Sequence, residues 1–493
     1  MNLTKFFIDQ HGCAKNQVDG ELLINHFVSL GMNQTFLPEE ADFIVVNSCG
    51  FIESAKKESL DAVVTAKQDY PKAKILLTGC LAERYAEVLK DAFPEADGIF
   101  GNGNLSKIDE FIRLFLDGER PVQTYEQDGV CCGDRKMLLS YPGSAFIKIT
   151  EGCSNHCSFC AIPIIRGELR SRKAAEIIEE IKVLLSRGIV EFNLIGQDLA
   201  AYGTGEGDDV FGDGQYPLPE LENGINKGTE KQSALAKLLN MISEIPGNFI
   251  VRPLYIHPDH FNRDILPVMQ KDKRLLHYFD IPFQSGDTET IRRMNRKGSF
   301  EEYSRLVKDI RNALPDATLR TTFLTGFPGE SEESAENTRR FLKEIESDWS
   351  GCFAYSREED TPAYSMKGRI SQKKAQERAD ELCGIQSEIT RRHLKTHVGK
   401  EYDILIEEIV EGEDGLAIGR AWFQAPDVDG SVVVRYEKDL PKENNLVKAG
   451  RFVKAKIVAA SDVDLDGILT GDSELNSNVP ENTMGFATEV RKD

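Results

Sequence analysis

The sequence predicts an α/β protein in three parts: a parallel sheet wrapped by helices, a full or partial β/α barrel, and a small C-terminal β-barrel of the OB type. Three observations predict it. Strand-like and helix-like segments alternate through residues 1–120, the pattern of a parallel sheet buried under helices. Several βα units recur from Ser144 to about Lys395, as in a barrel. After Val398 the pattern changes to short strands split by turns, as in a small barrel. With 493 residues, the chain is long enough for about three domains.

In the first part, Phe6-Phe7-Ile8, Phe43-Ile44-Val45-Val46 and Ile75-Leu76-Leu77 read as short buried strands. The stretch from Glu21 to Leu30 has apolar residues at helical spacing and stops at Gly31. Residues 121–143 are turn-rich and polar and read as a linker; they contain the vicinal pair Cys131-Cys132. In the second part the clearest helix is expected to start with Ser171 as N-cap. It carries Ala174, Ile177, Ile178, Ile181, Leu184 and Leu185 on one face and ends at Gly188. The strand 190–195 follows it. Residues 205–232, rich in Gly, Asp and Glu, read as an exposed, mobile insertion. In the third part, 402–406 and 431–434 read as strands. The expected division is 1–120, a linker at 121–143, then 144–395 and 396–471, with a disordered polar tail at 472–493.

Composition narrows the function. A net charge of −21 disfavours nucleic acid, whose binders present a basic face to phosphate, and favours a basic partner. No apolar run approaches the roughly 20 residues of a membrane helix, and the N-terminus lacks a signal-peptide pattern, so the cytoplasm is the expected compartment. There, ten cysteines are not a disulfide framework. Six of them sit in patterned places, where metal ligation or catalysis is the default reading.

The strongest pattern is Cys153-Ser154-Asn155-His156-Cys157-Ser158-Phe159-Cys160, directly after the strand-like 146–149. Soft thiolates suit zinc or iron–sulfur clusters. A closed structural zinc site takes four ligands; no second CxxC pair follows, and His156 lies inside the loop between two of the cysteines. Three cysteines on a cubane leave one iron open to a small-molecule chelator. Three more cysteines each follow a predicted strand: Cys13 in Gly12-Cys13-Ala14-Lys15-Asn16, Cys49 in Asn47-Ser48-Cys49-Gly50-Phe51, and Cys80 in Gly79-Cys80-Leu81. Loops at the carboxyl ends of parallel strands share one edge, so the three can converge. The plainer alternative is three separate cysteines packed as small hydrophobes. Cys131, Cys132, Cys352 and Cys383 carry no motif.

The CxxxCxxC loop after the first strand of a β/α domain resembles the radical S-adenosylmethionine (SAM) superfamily. That resemblance implies a 4Fe-4S cluster on Cys153, Cys157 and Cys160, with SAM on its open iron as the source of a 5′-deoxyadenosyl radical; such chemistry belongs to the cofactor. It also implies SAM contacts at Phe159, at Gln197-Asp198, at Gln284-Ser285, and in the glycine-rich loop Gly326-Phe327-Pro328-Gly329-Glu330. Each of these alone could be a core aromatic or an ordinary loop end. All sit at predicted C-terminal strand ends, where barrel active sites form. The GCxKN, NSCxF and GCL patterns resemble the N-terminal domain of the methylthiotransferases, covering nearly the whole chain from Phe6 to about Thr470. In that family these cysteines hold a second 4Fe-4S cluster, which receives the sulfur and methyl groups. The resemblance implies a flavodoxin-like first domain, a radical SAM core and a TRAM barrel, with an electron donor and a sulfur donor as partners. Gly20, where a small polar residue is common, and the 205–232 insertion depart from the pattern. No acid–base pair is assigned.

The family divides between enzymes acting on tRNA adenosine and one acting on the β-carbon of an aspartate in the twelfth small-subunit ribosomal protein. The C-terminal part, 397–470, holds nine Lys and Arg against fifteen Asp and Glu. An OB-like barrel that grips RNA is expected to be basic; an acidic one suits a basic ribosomal protein. The string Ala425-Pro426-Asp427-Val428-Asp429-Gly430 resembles the ribosomal-protein branch, and Asp427 and Asp429 are expected to dock the substrate. Direct tRNA binding is disfavoured. The alternatives are a tRNA methylthiotransferase and, in another class, a non-catalytic iron–sulfur scaffold or redox sensor, which needs no SAM pocket.

Overall fold

The computed structural model describes residues 5–212, 232–413, 415–437 and 446–476. Its first unit is a six-stranded, all-parallel sheet ordered β2-β1-β3-β4-β5-β6. The strands are β1 (Lys5–Gln10), β2 (Asn33–Gln34), β3 (Phe43–Ser48), β4 (Lys74–Gly79), β5 (Gly98–Gly101) and β6 (Val122–Gln123). Its helices are α1 (Ala14–Ser29), α2 (Glu53–Asp69), α3 (Cys80–Ala92) and α4 (Ile108–Leu116). Every residue of β3 is buried, as expected of a central parallel strand covered on both faces. Helix α1 begins seven residues before the apolar spacing suggests. Its first two turns bury Lys15, Asn16, Gln17, Asp19 and Glu21, polar residues that erase the helical pattern.

Residues 121–143 begin with β6 and end pinned to the core. Arg135 is buried and pairs with Glu21 of α1 at 2.5 Å, while Leu138 joins the central apolar cluster.

The second unit carries six parallel strands in two groups: β7 (Ser144–Lys148), β10 (Glu191–Ile195) and β11 (Ile250–Pro253), then β12 (Tyr278–Asp280), β13 (Thr318–Thr325) and β14 (Trp349–Ala354). A bridge between Val251 and Leu275 joins the groups into an open, partial barrel. A short ribbon, β8 (Thr150–Glu151) with β9 (Arg170–Ser171), brackets the cysteine loop and α5 (Ile162–Arg166). The covering helices are α6 (Ala174–Ser186), α7 (Ala234–Ser243), α8 (Ile265–Lys271), α9 (Thr288–Arg293), α10 (Phe300–Ala313), α11 (Glu332–Ile345) and α12 (Gln372–Lys395).

Two expectations need correction here. Ser171 lies in β9 and does not cap α6, whose N-cap is Lys173. The Ser171 amide is held by Asp208 Oδ1 and its hydroxyl by the Gly203 amide. The start of the expected mobile insertion is likewise built in: Val210 is buried and its carbonyl accepts from Ala174 N at 2.7 Å. Residues 213–231 of that insertion lie outside the described residues.

The third unit is a closed five-stranded barrel ordered β15-β16-β17-β19-β18. It comprises β15 (Glu401–Ile409), β16 (Leu416–Arg420), β17 (Val432–Arg435), β18 (Phe452–Ala460) and β19 (Leu465–Asp472). Of the expected disordered tail, Asp472 ends β19 and Asn476 exchanges hydrogen bonds with the Phe452 backbone; residues 477–493 lie outside the described residues. No helix among the described residues is long and apolar enough to cross a membrane.

Candidate functional site

The three early cysteines converge at the carboxyl edge of the first sheet. Cys13 is the N-cap of α1, Cys49 follows β3 and Cys80 opens α3. Glycine permits the approach at two places. Gly79 has φ +93°, and a Cβ there would lie 2.5 Å from Ser48 O; a Cβ on Gly50 would lie 2.6 Å from Cys80 O. Asn16 ties the loops together, donating to the carbonyls of His11, Asn47 and Ser48, while Asn47 donates back to Asn16 O. At the departure Gly20, a Cβ would meet Gln10 Oε1 at 2.3 Å; Gln10 accepts from Asn47 through that same oxygen.

N–H groups are aimed at the Cys80 sulfur. Arg166 donates to it at 3.1 Å and Asn102 at 3.5 Å. Burial and the neighbouring Cys80 push the Cys49 thiol up to about 12. Burial also raises Cys80, against the pull of Arg166. Cys13 is reached by solvent but ringed by protein. Burial works to raise its thiol too, yet the charges of Lys15 and Arg166, with the amides of Asn16 and Lys15 at the helix start, bring it below its ordinary value.

The central cysteines form a second group. Cys153 N donates to Gly167 O and Cys160 N to Cys157 O. His156 reaches a positive φ of 49° to turn the loop and does not close it as a ligand: its nearest ionic partner is Glu168. Burial pushes Cys153 and Cys160 each up to about 12, with the other cysteines of the loop adding to it. The Cys157 sulfur lies 3.7 Å from His257 Nε2. His257 Nδ1 accepts from Asp259 N, which leaves the ring proton on Nε2, facing the sulfur.

Both groups fit an iron–sulfur cluster. All six thiols are free, each group offers three sulfurs, and N–H donors or cations face those sulfurs, as thiolates bound to iron require. The raised thiols of Cys49, Cys80, Cys153 and Cys160 must give up protons when they bind metal. The two groups share a wall: Cys80 packs with Ala161 and Ile165, one and five residues after Cys160.

The expected SAM contacts divide. Phe159 packs against Met294, Phe327, Tyr355 and Ala363. Together with Gln284, which holds a φ of 70°, it lines a cleft of about 1490 Å³ between the first and second units. Gln197 donates to Glu151 at 3.2 Å, and its Oε1 is buried without a hydrogen-bond partner. Gly326 and Gly329 hold positive φ, and a Cβ on Gly326 would sit 2.2 Å from that of Ala375. Pro328 lies buried in the same loop.

Three other residues are committed to internal bonds. Asp198 accepts from Asn155, His260 and the amides of Ala200 and His257, so it braces the cysteine loop. Ser285 bonds Thr338 and the Asp287 amide. Glu330 closes its own loop by accepting from Gly326 N and pairing with Arg378 at 2.6 Å.

Sequence reasoning missed a buried ionic network between the groups. Lys148 pairs with Asp19 and Glu151, and Arg166 with the same two carboxylates at 2.8 Å. The only linear signal is Asp19 within GCxKNxxD. It also missed His257, Asn102, and the trio Lys15, Tyr255 and Asp280. The Lys15 ammonium lies 2.9 Å from the centre of the Tyr255 ring, and burial lowers it to about 8.

The docking residues need correction. The Asp429 side chain is fully buried: it accepts from Arg320 at 2.6 Å, from Tyr278 OH at 2.6 Å and from Ala425 N at 2.8 Å. It therefore joins the third unit to the second and offers no surface charge. Asp427 is exposed, at φ 67°.

Comparison with known proteins agrees with this architecture. Residues 5–101 match Uncharacterized protein family UPF0004, 147–342 the Radical SAM superfamily, and 398–469 the TRAM domain. The chain is 51% identical over 480 residues to the ribosomal protein uS12 methylthiotransferase RimO of Treponema denticola, covering 94% of this chain and 100% of that one. It is 37% identical to the RimO of Natranaerobius thermophilus, covering 94% and 98%. Among solved structures, the radical SAM methyltransferase TsrM of Kitasatospora setae aligns with a TM-score of 0.50 at 12% identity, over 74% of each chain, a likeness of fold alone. With early and central cysteine trios on adjoining walls, and with full-length relatives of this closeness, the chain belongs to the ribosomal protein uS12 methylthiotransferase (RimO) family.

Proposed function

We propose that this protein methylthiolates ribosomal protein uS12, replacing a C–H bond on the β-carbon of an aspartate by a C–S–CH3 group. One observation carries the reading: the two cysteine trios abut through Cys80, Ala161 and Ile165, so one substrate carbon can be served from both sides. Cys153, Cys157 and Cys160 hold one 4Fe-4S cluster and Cys13, Cys49 and Cys80 the other. When bound, the clusters and SAM supply the one-electron chemistry that opens an unactivated C–H bond and the sulfur that enters it.

The chain's own residues position and shield. Asp198 fixes Asn155 beside Cys153. His257 directs an N–H at Cys157, and Arg166 directs one at Cys80. Phe159, Phe327 and Tyr355 form the apolar floor on which an adenine can rest. Gln197 presents an unpaired buried oxygen to a ligand. The names of the full-length relatives support a ribosomal-protein substrate, and the acidic barrel, −6 over 397–470, suits a basic partner. An electron donor and a sulfur source complete the reaction in the cytoplasm.

The test is anaerobic reconstitution with iron and sulfide, then incubation with SAM, reductant and either uS12 or tRNA. Mass spectrometry is expected to find the methylthio mass increment on one aspartate of uS12 and none on tRNA. Modification of tRNA adenosine alone, or no formation of 5′-deoxyadenosine, would overturn the reading.

A further inference from the structure

A buried cation needs a partner, because an ammonium taken out of water without one is costly. Among the described residues, the buried Lys and Arg are Lys15, Lys56, Arg135, Lys148, Arg166, Arg172, Arg252, Arg296, Arg378 and Arg420. Among the described residues, all but two pair with a carboxylate: Lys56 with Glu358, Arg252 with Glu191, Arg378 with Glu330, and so on. The exceptions lie one beside each cysteine trio. Arg296 donates to the carbonyls of Pro282 and Phe283. Lys15 makes no ion pair: its ammonium lies over the face of Tyr255, with Cys13 and Asp280 acting on it only through space. A ring face accepts one N–H and offers a modest cation–π attraction, whereas an ammonium carries three donors.

The place is a meeting point of all three units. Lys15 stands in the first turn of α1, two residues after Cys13. Tyr255 follows β11 at the carboxyl edge of the partial barrel and is held at φ 65°, an unfavourable backbone for an aromatic residue that the surroundings must enforce. Asp280 ends β12 on the same edge. Asp427 of the third unit is exposed nearby, close enough for its field to act on the Tyr255 hydroxyl. The missing partner must be anionic and small, and must arrive beside Cys13. Asp427 and Asp280 put negative charge around the place, which disfavours a multiply charged phosphate chain more than a single carboxylate on a basic protein.

We propose that Lys15, resting on Tyr255, binds the side-chain carboxylate of the substrate aspartate and so sets its β-carbon beside the Cys13, Cys49 and Cys80 group. This rests on the uS12 reading above and names the residue that recognises its target. Lys15 is a specificity residue: an asparagine at the target position has the same shape and no charge to give it.

The test measures binding. Labelled uS12 and its Asp→Asn version at the target position are titrated anaerobically against iron–sulfur-loaded wild type, Lys15→Met and Lys15→Arg, with iron per chain measured for each. Wild type is expected to prefer the aspartate form by about tenfold or more, the usual worth of a charge-assisted hydrogen bond. Lys15→Met is expected to bring the ratio close to one with iron content retained, and Lys15→Arg to restore part of it. The proposal fails if Lys15→Met keeps the wild-type ratio. It also fails if Lys15→Met loses iron while its loaded fraction still discriminates, which would make Lys15 a counter-charge for the cysteine group, or if the loss appears in tRNA binding alone. A wild type that methylthiolates uS12 while Lys15→Met still discriminates sinks the Lys15 assignment only. A wild type that neither binds nor modifies uS12 sinks the function reading instead.

Discussion

At the scale of single residues, Asp429 and Asp427 share a motif and have opposite surroundings. The Asp429 side chain accepts from Arg320, Tyr278 and Ala425 with no solvent exposure of its own. Removing one partner of a buried ion pair strands the other charge, at a cost of about 3–5 kcal/mol. Asp429→Ala is therefore expected to lower the thermal unfolding midpoint well below wild type, while Asp427→Ala, on the surface, costs less than about 1 kcal/mol. Calorimetry on the two variants checks this; equal midpoints would refute the buried joint. His397 gives a pH signature. Its ring stacks on Phe423 at 4.0 Å, and burial, then Lys400, lowers its pKa to about 4. The unfolded chain, with a histidine near 6.5, binds the proton first. Its share of stability is whole above about pH 6.5, and is lost as pH falls toward 4. The stability gap between wild type and His397→Gln is expected to shrink across that window in matched thermal melts. A gap that stays constant would show that His397 is not held neutral.

At the scale of elements, β10 fastens the small barrel to the core through one carboxylate. Glu191 takes hydrogen bonds from Ser144, from Arg252 and from both amino groups of Arg420 on β16, and Arg420 also pairs with Glu407 of β15. Burial opposes its charge, but Arg420 and Arg252 hold the carboxyl well below the usual range. Glu191→Gln keeps the shape and removes the charge, leaving two arginines underpaired. Hydrogen exchange in β16 and β17 is expected to speed up while β3 and β4 of the first sheet stay protected; equal protection would deny the fastening role. The sequence disclosed the strands better than their joints. Short apolar runs rich in β-branched residues, such as Phe43 to Val46, read as buried strands, and the cysteines that follow them point to one edge. The start of α1 is hidden because its first turns bury polar side chains toward the thiols. Ser171 resembles a helix cap because serine bonds backbone readily, yet its partners, Asp208 and Gly203, lie more than thirty residues away. Asp429 read as a surface charge for the same reason: Arg320 is 109 residues distant.

At the scale of the whole molecule, function requires that the two cysteine trios keep a fixed relation, although they sit on separate units. Arg166 is the residue that spans them. It leaves α5, just past the central cysteines, pairs with Asp19 of α1 and with Glu151, and donates to the Cys80 sulfur. Lys148 of β7 pairs with the same two carboxylates, so the network is four charges closed on themselves, two positive and two negative. Such a network is weak evidence for stability, since burying the charges costs about as much as pairing them returns. Its worth is register: only one arrangement satisfies all four. Arg166→Met fills much of the volume and breaks three contacts together. Arg166→Lys keeps the charge but loses the planar fork that reaches a carboxylate and the sulfur at once. Both are expected to lose up to half of the bound iron, from the Cys13, Cys49 and Cys80 group, with Arg166→Met the worse. The central group is expected to survive, so reduced protein still shows a SAM-dependent change in its electron paramagnetic resonance signal. It should still form 5′-deoxyadenosine, while methylthiolation of uS12 falls by about tenfold or more. Iron counting together with that spectrum decides it: full iron and an unchanged product yield in Arg166→Met would mean that the trios hold their relation without the arginine.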